Sequence, residues 1–243
     1  MQHTLINPTT HIPDDLAYGP VRSRRFGRSL GISLTPAGTV TCAWRCPYCQ
    51  LGHGKPGPFP SANAVIMAAE QALKVHAGKL DCICICGSGE PTDHPDFARI
   101  TEHIGAHAAD YGLPSILLTN GDGLHDADKM RAAISVDECY IKYDPGPRKG
   151  AWSAPSHRER ILMDIPELMI QAMVFAGPGE HGNNSAESRE AWIAQLEELD
   201  PVVIHLMTIE RAPRDDRLHP VSRQELNQWR RACRLHGLHA LVF

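Results

Sequence analysis

The chain has 243 residues, of which 42% are hydrophobic and 21% are charged, and its formal net charge is -4. This length is enough for one large domain with a substantial core. Proteins that grip nucleic-acid phosphates usually have an excess of Lys and Arg, so this balance argues against a nucleic-acid partner. The sequence has neither a secretion signal nor an apolar stretch long enough for a membrane helix, so we expect a cytoplasmic protein without a membrane partner.

Short apolar runs alternate with amphipathic stretches along most of the sequence. Apolar runs bounded by turn residues are typical of buried parallel strands, and we predict them at residues 29–34, 80–86, 115–118, 138–143, 168–175 and 202–207. Apolar residues at helical spacing predict helices at residues 61–76, 95–111, 126–134, 155–163, 185–199 and 222–236. Six strand–helix pairs in series indicate an α/β protein with a parallel sheet, either an open barrel or a flat layer.

The series shows no linker, so we predict a single domain over residues 1–243. Within it we expect an N-terminal extension at 1–28, a barrel core at 29–220, and a C-terminal helix and tail at 221–243. In either type of sheet, chemistry is expected where the strands end and the helices begin.

Three cysteines follow the first predicted strand, in the order Cys42-Ala-Trp-Arg-Cys46-Pro-Tyr-Cys49. Thiolates this close in a loop can converge on one metal centre, and they suit iron–sulfur clusters and zinc. A structural zinc site closes with four ligands, and His53 is a candidate for the fourth. A four-iron cluster with three protein ligands instead leaves one iron open for a small molecule. We favour the cluster because zinc sites usually pair two Cys-x-x-Cys knuckles.

The spacing Cys-x3-Cys-x2-Cys after the first strand of such a series resembles the radical SAM superfamily, and Tyr48 before the third cysteine fits it as well. The second predicted strand ends in Gly87-Ser88-Gly89-Glu90-Pro91, which resembles that family's Gly-Gly-Glu-Pro turn. The third ends in Leu118-Thr119-Asn120-Gly121, which resembles another family segment. Together the motifs imply a partial (β/α)6 TIM-like barrel of the radical SAM type.

The resemblance implies that Cys42, Cys46 and Cys49 hold a catalytic 4Fe-4S cluster. S-adenosylmethionine (SAM) would bind the open iron and be cleaved reductively to a 5′-deoxyadenosyl radical. Glycines permit close approach of the backbone, and the Glu90 carboxylate can pair with the ammonium group of SAM. The residues expected to bind the cofactor are Tyr48, Gly87, Ser88, Gly89, Glu90, Asn120, Lys142, Asp144 and Gln171.

Three of these polar residues also have structural interpretations. Lys142 and Asp144 end the fourth strand and could form a buried ion pair in the barrel mouth instead of contacting SAM. Gln171 lies in an apolar run, and its buried amide needs a partner, which is either a ligand or another part of the protein.

A closer resemblance covers most of the chain and is to a small branch related to the tRNA wyosine-base synthases. The segments that carry it are residues 18–21, 23–25, 27–32, 141–144, 170–171, 183–184 and 208–213. True wyosine synthases have a second cysteine set upstream, whereas no cysteine precedes Cys42 here. This departure argues against a tRNA substrate.

We therefore expect a radical SAM enzyme of the iron–sulfur oxidoreductase or lyase type. Its radical would abstract hydrogen from a small-molecule or biosynthetic-intermediate substrate, with electrons from a flavodoxin- or ferredoxin-type donor. Two alternatives are modification of a tRNA base, as in wyosine synthesis, and generation of a radical on a partner protein.

Two further groups of residues have more than one interpretation. Cys82, Cys84 and Cys86 share one face of a strand, and could bind a second metal or pack as small apolar side chains; we favour packing. The basic run from Arg22 to Arg28 could recognise an anionic substrate or close the barrel by hydrogen bonds to the backbone.

Overall fold

The structure is a computed structural model that describes residues 16–35, 41–51, 57–146 and 158–243. The strands are β1 (Ala17–Ser23), β2 (Gly27–Ile32), β3 (Cys82–Ile85), β4 (Ser115–Thr119), β5 (Glu138–Lys142), β6 (Met169–Met173), β7 (Phe175–Ala176), β8 (Val203–Met207), β9 (His219–Pro220) and β10 (Ala240–Val242). The helices are α1 (Ala62–His76), α2 (Phe97–Asp110), α3 (Ala127–Ile134), α4 (Arg158–Met163), α5 (Ala186–Leu199) and α6 (Arg223–Leu235). Among these helices, none combines the length and the apolar character needed to cross a membrane.

Within the described part of the chain, the main sheet has eight strands in the order β1-β2-β3-β4-β5-β6-β8-β10. Neighbours from β2 to β10 are parallel, and β1 is antiparallel to β2. In a flat sheet β2 and β8 would lie about 24 Å apart. Arg25, beside β2, nevertheless donates a hydrogen bond of 3.2 Å to His205 on β8. The sheet is therefore curled into a half-barrel, which confirms the predicted fold class.

All six predicted strands and all six predicted helices are present, with ends shifted by a few residues. Two strands of the sheet were not predicted: β1 lies in the expected N-terminal extension, and β10 lies in the expected tail. An edge strand tolerates Gly19 and Pro20, which indicate a turn when the sequence is read locally. The predicted strand at 168–175 is wrong in its extent, since it divides into β6 and β7, and β7 pairs with β9 in a separate small sheet.

The two faces of the sheet have different neighbours because successive strand residues point in opposite directions. On β3, Ile83 and Ile85 belong to the large core between sheet and helices. Cys82 and Cys84 face the interior of the half-barrel, where they pack with Ile116 and Tyr140. Both cysteines thus pack as small apolar side chains, the interpretation favoured above.

The turn between β1 and β2 closes the lower end of the half-barrel. Arg28 and Asp81 form an ion pair of 2.8 Å, and the Arg28 backbone N–H donates to the same carboxylate at 2.7 Å. Gly27 has φ +69°, and a Cβ there would lie 2.5 Å from Asp81 Oδ2. Glycine is therefore needed for the turn to dock against the start of β3.

Asn183 joins the strand ends at the upper edge of the half-barrel. Its buried side chain accepts a hydrogen bond from Phe175 N at 2.8 Å. Its amide group donates to Pro145 O at 3.0 Å and to Met173 O at 2.7 Å. One side chain thus satisfies three backbone groups from the segments that follow β5 and β6.

We expect Asn183→Ala to lower the free energy of unfolding by at least about 3 kcal/mol, because three buried backbone groups lose their partner. The matched control is Asn184→Ala, which removes one hydrogen bond of 3.0 Å to Glu225. It should cost about 1 kcal/mol or less. Urea unfolding followed by circular dichroism measures both, and similar losses for the two variants would contradict the role given to Asn183.

Candidate functional site

A cavity of about 550 Å³ opens at the carboxyl ends of the parallel strands. Most of the site residues predicted from the sequence line it. They are Cys42, Cys46, Cys49, Tyr48, Gly87, Gly89, Glu90, Asn120, Lys142 and Gln171. Ser88 and Asp144 do not line the cavity. Ser88 is fully buried, and its hydroxyl has no hydrogen-bond partner among the described residues.

The cysteine loop is docked onto the segment that follows β3. Thr41 forms a parallel bridge with Gly89, and Glu90 N donates to Thr41 O at 2.8 Å. A Cβ at Gly89 would lie 2.0 Å from Thr41 O, so only glycine allows the two backbones this close. Gly87 has φ +140°, and a Cβ there would lie 2.4 Å from Ser33 Oγ. These glycines serve the approach of one backbone segment to another.

The three thiols of the loop face one cavity but have different neighbours. Burial raises the pKa of Cys42 to about 12 and also raises the pKa of Cys46. Asn120 Nδ2 donates to Cys42 Sγ at 3.8 Å, and the Lys142 cation acts to lower the pKa of Cys46. Since thiolates are the form that binds metal, both neighbours favour metal binding.

Among the described residues, no group of three His, Cys, Asp or Glu side chains is placed to hold a single metal ion. In a zinc site the ligands converge on one ion. In an iron–sulfur cluster each thiolate binds a different iron atom, so the ligands stand farther apart. The three thiols line one cavity, where a cluster that binds each of them through a different iron atom could be held. His53, the candidate fourth ligand for zinc, lies outside the described residues.

Tyr48 is buried between the cysteine loop and the end of β5. Its hydroxyl donates a hydrogen bond to Asp144, and its ring packs on Phe175 with centroids 5.3 Å apart. Burial, with the negative charge of Asp144, raises the pKa of Tyr48 well above its usual value, so the hydroxyl keeps its proton. Tyr48 thus fixes the loop to the barrel.

Lys142 and Asp144 form an ion pair with 3.7 Å between Nζ and Oδ1. Asp144 Oδ1 also accepts a hydrogen bond of 2.7 Å from Met173 N. Lys142 Nζ lies 4.8 Å from the centre of the Tyr48 ring. Of the two residues, only Lys142 lines the cavity, and Asp144 acts behind it as the anchor for Tyr48.

Glu90 uses its carboxylate to tie the ends of β3 and β4 together. Oε1 accepts hydrogen bonds from the Thr92 backbone at 3.1 Å, from the Thr92 hydroxyl at 2.8 Å and from the Thr119 hydroxyl. Oε2 accepts from Asn120 N at 2.7 Å. Burial raises the pKa of Glu90, and these hydrogen bonds oppose that rise. Oε2 keeps acceptor capacity for the ammonium contact predicted above.

Gln171 has partners within the protein. Its Oε1 accepts a hydrogen bond of 2.9 Å from Arg25 Nη1, and its Nε2 donates to Tyr140 O at 3.3 Å. The structural interpretation of this buried amide is therefore sufficient to explain it.

The cavity also contains apolar residues that the sequence did not indicate as part of a site: Met173, Met207, Ile209 and Phe243. Apolar residues on strands give no signal that separates a cavity wall from a core. Arg25, which also lines the cavity, belongs to the basic run for which recognition of an anionic substrate was one of two interpretations. Its place inside the half-barrel depends on how β1 folds back on β2.

The chain has detectable similarity to known proteins. The family model described as the radical SAM superfamily matches residues 38–171. A UPF0026 protein of Helicobacter pylori is 26% identical over 212 residues, which cover 81% of this chain and 67% of that protein. The chain spans 40–67% of the length of four such UPF0026 relatives.

Two solved structures have a similar fold. Streptococcus suis SuiB bound to precursor peptide SuiA has a TM-score of 0.63 at 11% identity, over 88% of this chain and 48% of that chain. Archaeal TYW1 has a TM-score of 0.53 at 14% identity, over 86% of this chain and 72% of that chain. At these identities the likeness shows the fold alone.

The docking of the cysteine loop can be tested with two glycine substitutions. We expect Gly89→Ala to reduce the iron bound after anaerobic reconstitution and to lower the melting temperature, because the new Cβ displaces Thr41. Gly105→Ala is the control, since its Cβ would meet only Ser115 Oγ, at 3.6 Å. In the interior of α2 it should stabilise the protein by about 0.5–1 kcal/mol and leave iron binding unchanged. Full iron binding by Gly89→Ala would show that the bridge is dispensable.

Proposed function

Because the chain belongs to the radical SAM superfamily, we propose that it holds a 4Fe-4S cluster on Cys42, Cys46 and Cys49 and cleaves SAM reductively. The observation that carries the proposal is the meeting of three thiols, the 87–90 segment and Asn120 around one cavity. When bound, the cluster would supply one electron to SAM and so generate the 5′-deoxyadenosyl radical that abstracts hydrogen from the substrate. The electron would come from a flavodoxin- or ferredoxin-type donor.

The residues around the thiols support this assignment. Lys142 is a cation beside Cys46, and Asn120 donates to Cys42, so both stabilise the thiolate form that a cluster needs. Tyr48 and Asp144 hold the loop in place from behind. Glu90 offers a carboxylate oxygen for the amino group of SAM.

We propose a small molecule or a biosynthetic intermediate as the substrate. A cavity of about 550 Å³ is within the size range of sites for small ligands and cofactors. The walls that face it include Met173, Met207 and Phe243, whose apolar side chains would limit the access of water to reacting groups. The net charge of -4 gives no support to a tRNA substrate.

The proposal predicts that the variant with Cys42, Cys46 and Cys49 all changed to Ala binds no iron above background. It should form no 5′-deoxyadenosine from SAM and dithionite, because the thiolates that hold the cluster are gone. Iron analysis and liquid chromatography of the anaerobic reaction measure the two quantities.

The matched control is Cys139→Ala, which removes a half-buried thiol packed against the main core. It should bind iron and form 5′-deoxyadenosine as the unchanged protein does. The proposal fails if the triple variant retains its iron, or if fully loaded unchanged protein forms no 5′-deoxyadenosine.

A further inference from the structure

Arg25 enters the half-barrel from below, on the turn between β1 and β2. Ser23 Oγ accepts hydrogen bonds of 3.2 Å from the backbone N–H groups of Arg25 and Phe26, which tightens this turn. The Arg28–Asp81 ion pair fixes the turn to β3. The Arg25 side chain therefore reaches the floor of the cavity from a rigid base.

The groups that hold the Arg25 guanidinium are neutral. Nη1 donates to Gln171 Oε1 at 2.9 Å, and Nε donates to His205 Nδ1 at 3.2 Å. The guanidinium carbon lies 4.4 Å from the ring centre of Phe26 and 4.9 Å from that of Tyr140. Burial lowers the pKa of His205 to about 3, so its ring is neutral at physiological pH and can accept this bond.

The cation itself persists under these conditions, because burial lowers the pKa of Arg25 only to about 10. Its Nη2 is buried and has no hydrogen-bond partner among the described residues. No carboxylate of the described residues forms an ion pair with Arg25. The nearby Glu138 accepts a hydrogen bond of 2.7 Å from Tyr140 instead. A largely desolvated charge without a counter-ion is unfavourable, so a fold that retains one is expected to receive its partner from outside.

Basic side chains also outnumber acidic ones in the rest of the cavity lining. Among the described residues, six basic ones line the cavity: Arg22, Arg24, Arg25, Lys142, Arg211 and Arg214. Two acidic residues, Glu90 and Glu210, line it as well, and Glu210 is paired with Arg24. A basic cavity in a chain with a net charge of -4 concentrates anions.

We propose that Arg25 binds an anionic group of the substrate, a carboxylate or a phosphate, at the floor of the cavity. This inference rests on the proposed function and adds the chemical class of the substrate. Arg25 contacts Gln171 on β6 and both His205 and Met207 on β8. The proposed cluster ligands have their polar neighbours on β5 and after β3 and β4. Arg25 thus reaches the cavity from the amino ends of the strands, whereas the cysteine loop docks on Gly89 at their carboxyl ends, so we assign the anion to the substrate rather than to SAM.

Calorimetry with succinate and with inorganic phosphate tests the proposal on the reconstituted protein, and neutral succinamide is the uncharged probe. The unchanged protein should bind at least one of the two anions at one site, and succinamide far more weakly. Arg25→Gln should weaken anion binding at least about tenfold, since a charge-assisted hydrogen bond is lost. The control is Arg99→Gln, which removes an equal charge from the exposed side of α2 and should change the affinity by less than about twofold.

A separate titration with SAM tests whether the anionic group that Arg25 binds belongs to the substrate or to SAM. We expect Arg25→Gln to leave SAM affinity unchanged. A loss of SAM affinity as large as the loss of anion affinity would overturn the assignment to the substrate. Equal effects of the Arg25 and Arg99 variants on anion affinity would also overturn it, as would a lack of anion binding by the unchanged protein. If Arg25→Gln does not fold, Arg25→Lys takes its place. Lysine keeps the positive charge but lacks the planar guanidinium group, so Arg25→Lys should weaken anion binding at least about threefold. Unchanged anion affinity in this variant would overturn the proposal.

The test of Arg25 does not depend on radical chemistry, because anion binding can also be measured on protein without iron. Loss of iron binding or of 5′-deoxyadenosine formation in the unchanged protein would count against the proposed function alone. Loss of anion binding with intact 5′-deoxyadenosine formation would count against Arg25 alone.

Discussion

The site depends on the contacts that Gly89 and Glu90 make with the cysteine loop and with the end of β4. The Glu90 backbone binds Thr41 and so docks the cysteine loop, while the Glu90 side chain binds the ends of β3 and β4. Because the same β4 end carries Asn120, the hydrogen-bond donor to Cys42 is held in register with the loop. A buried carboxylate with four protein donors tolerates little displacement, so it fixes the relative positions of these segments.

The cavity combines two electrostatic environments. On the side of the cysteine loop, the buried charges are paired, as Lys142 with Asp144, or hydrogen-bonded, as Glu90. On the floor, Arg25 is surrounded by an amide, an imidazole and aromatic rings. The charges beside the cysteine loop have their partners within the protein, whereas Arg25 has no counter-ion among the described residues. This difference distinguishes the proposed cofactor side from the proposed substrate side.

The similarity to solved structures at 11–14% identity shows that the half-barrel tolerates extensive substitution. What it requires is a curled parallel sheet, apolar towards the helices, with its strand ends facing one cavity. The inner face can then vary. In this chain it carries Cys82, Cys84 and Tyr140 below, and Arg25, hydrogen-bonded to His205, at the cavity floor.

The sequence by itself determined the order of six strands and six helices, because apolar periodicity is a local property that each segment carries. It also predicted most of the residues that line the cavity on the proposed cofactor side, since motifs at the ends of successive parallel strands must meet at one edge. Tertiary structure alone decided that β1 and β10 complete the sheet, because edge strands are selected by their neighbours and not by their own pattern. It also placed Arg25 inside the barrel, fixed Asp144 behind Tyr48, and gave Glu90 a role in joining strands. Such contacts join residues distant in sequence, and only the curvature of the sheet brings them together.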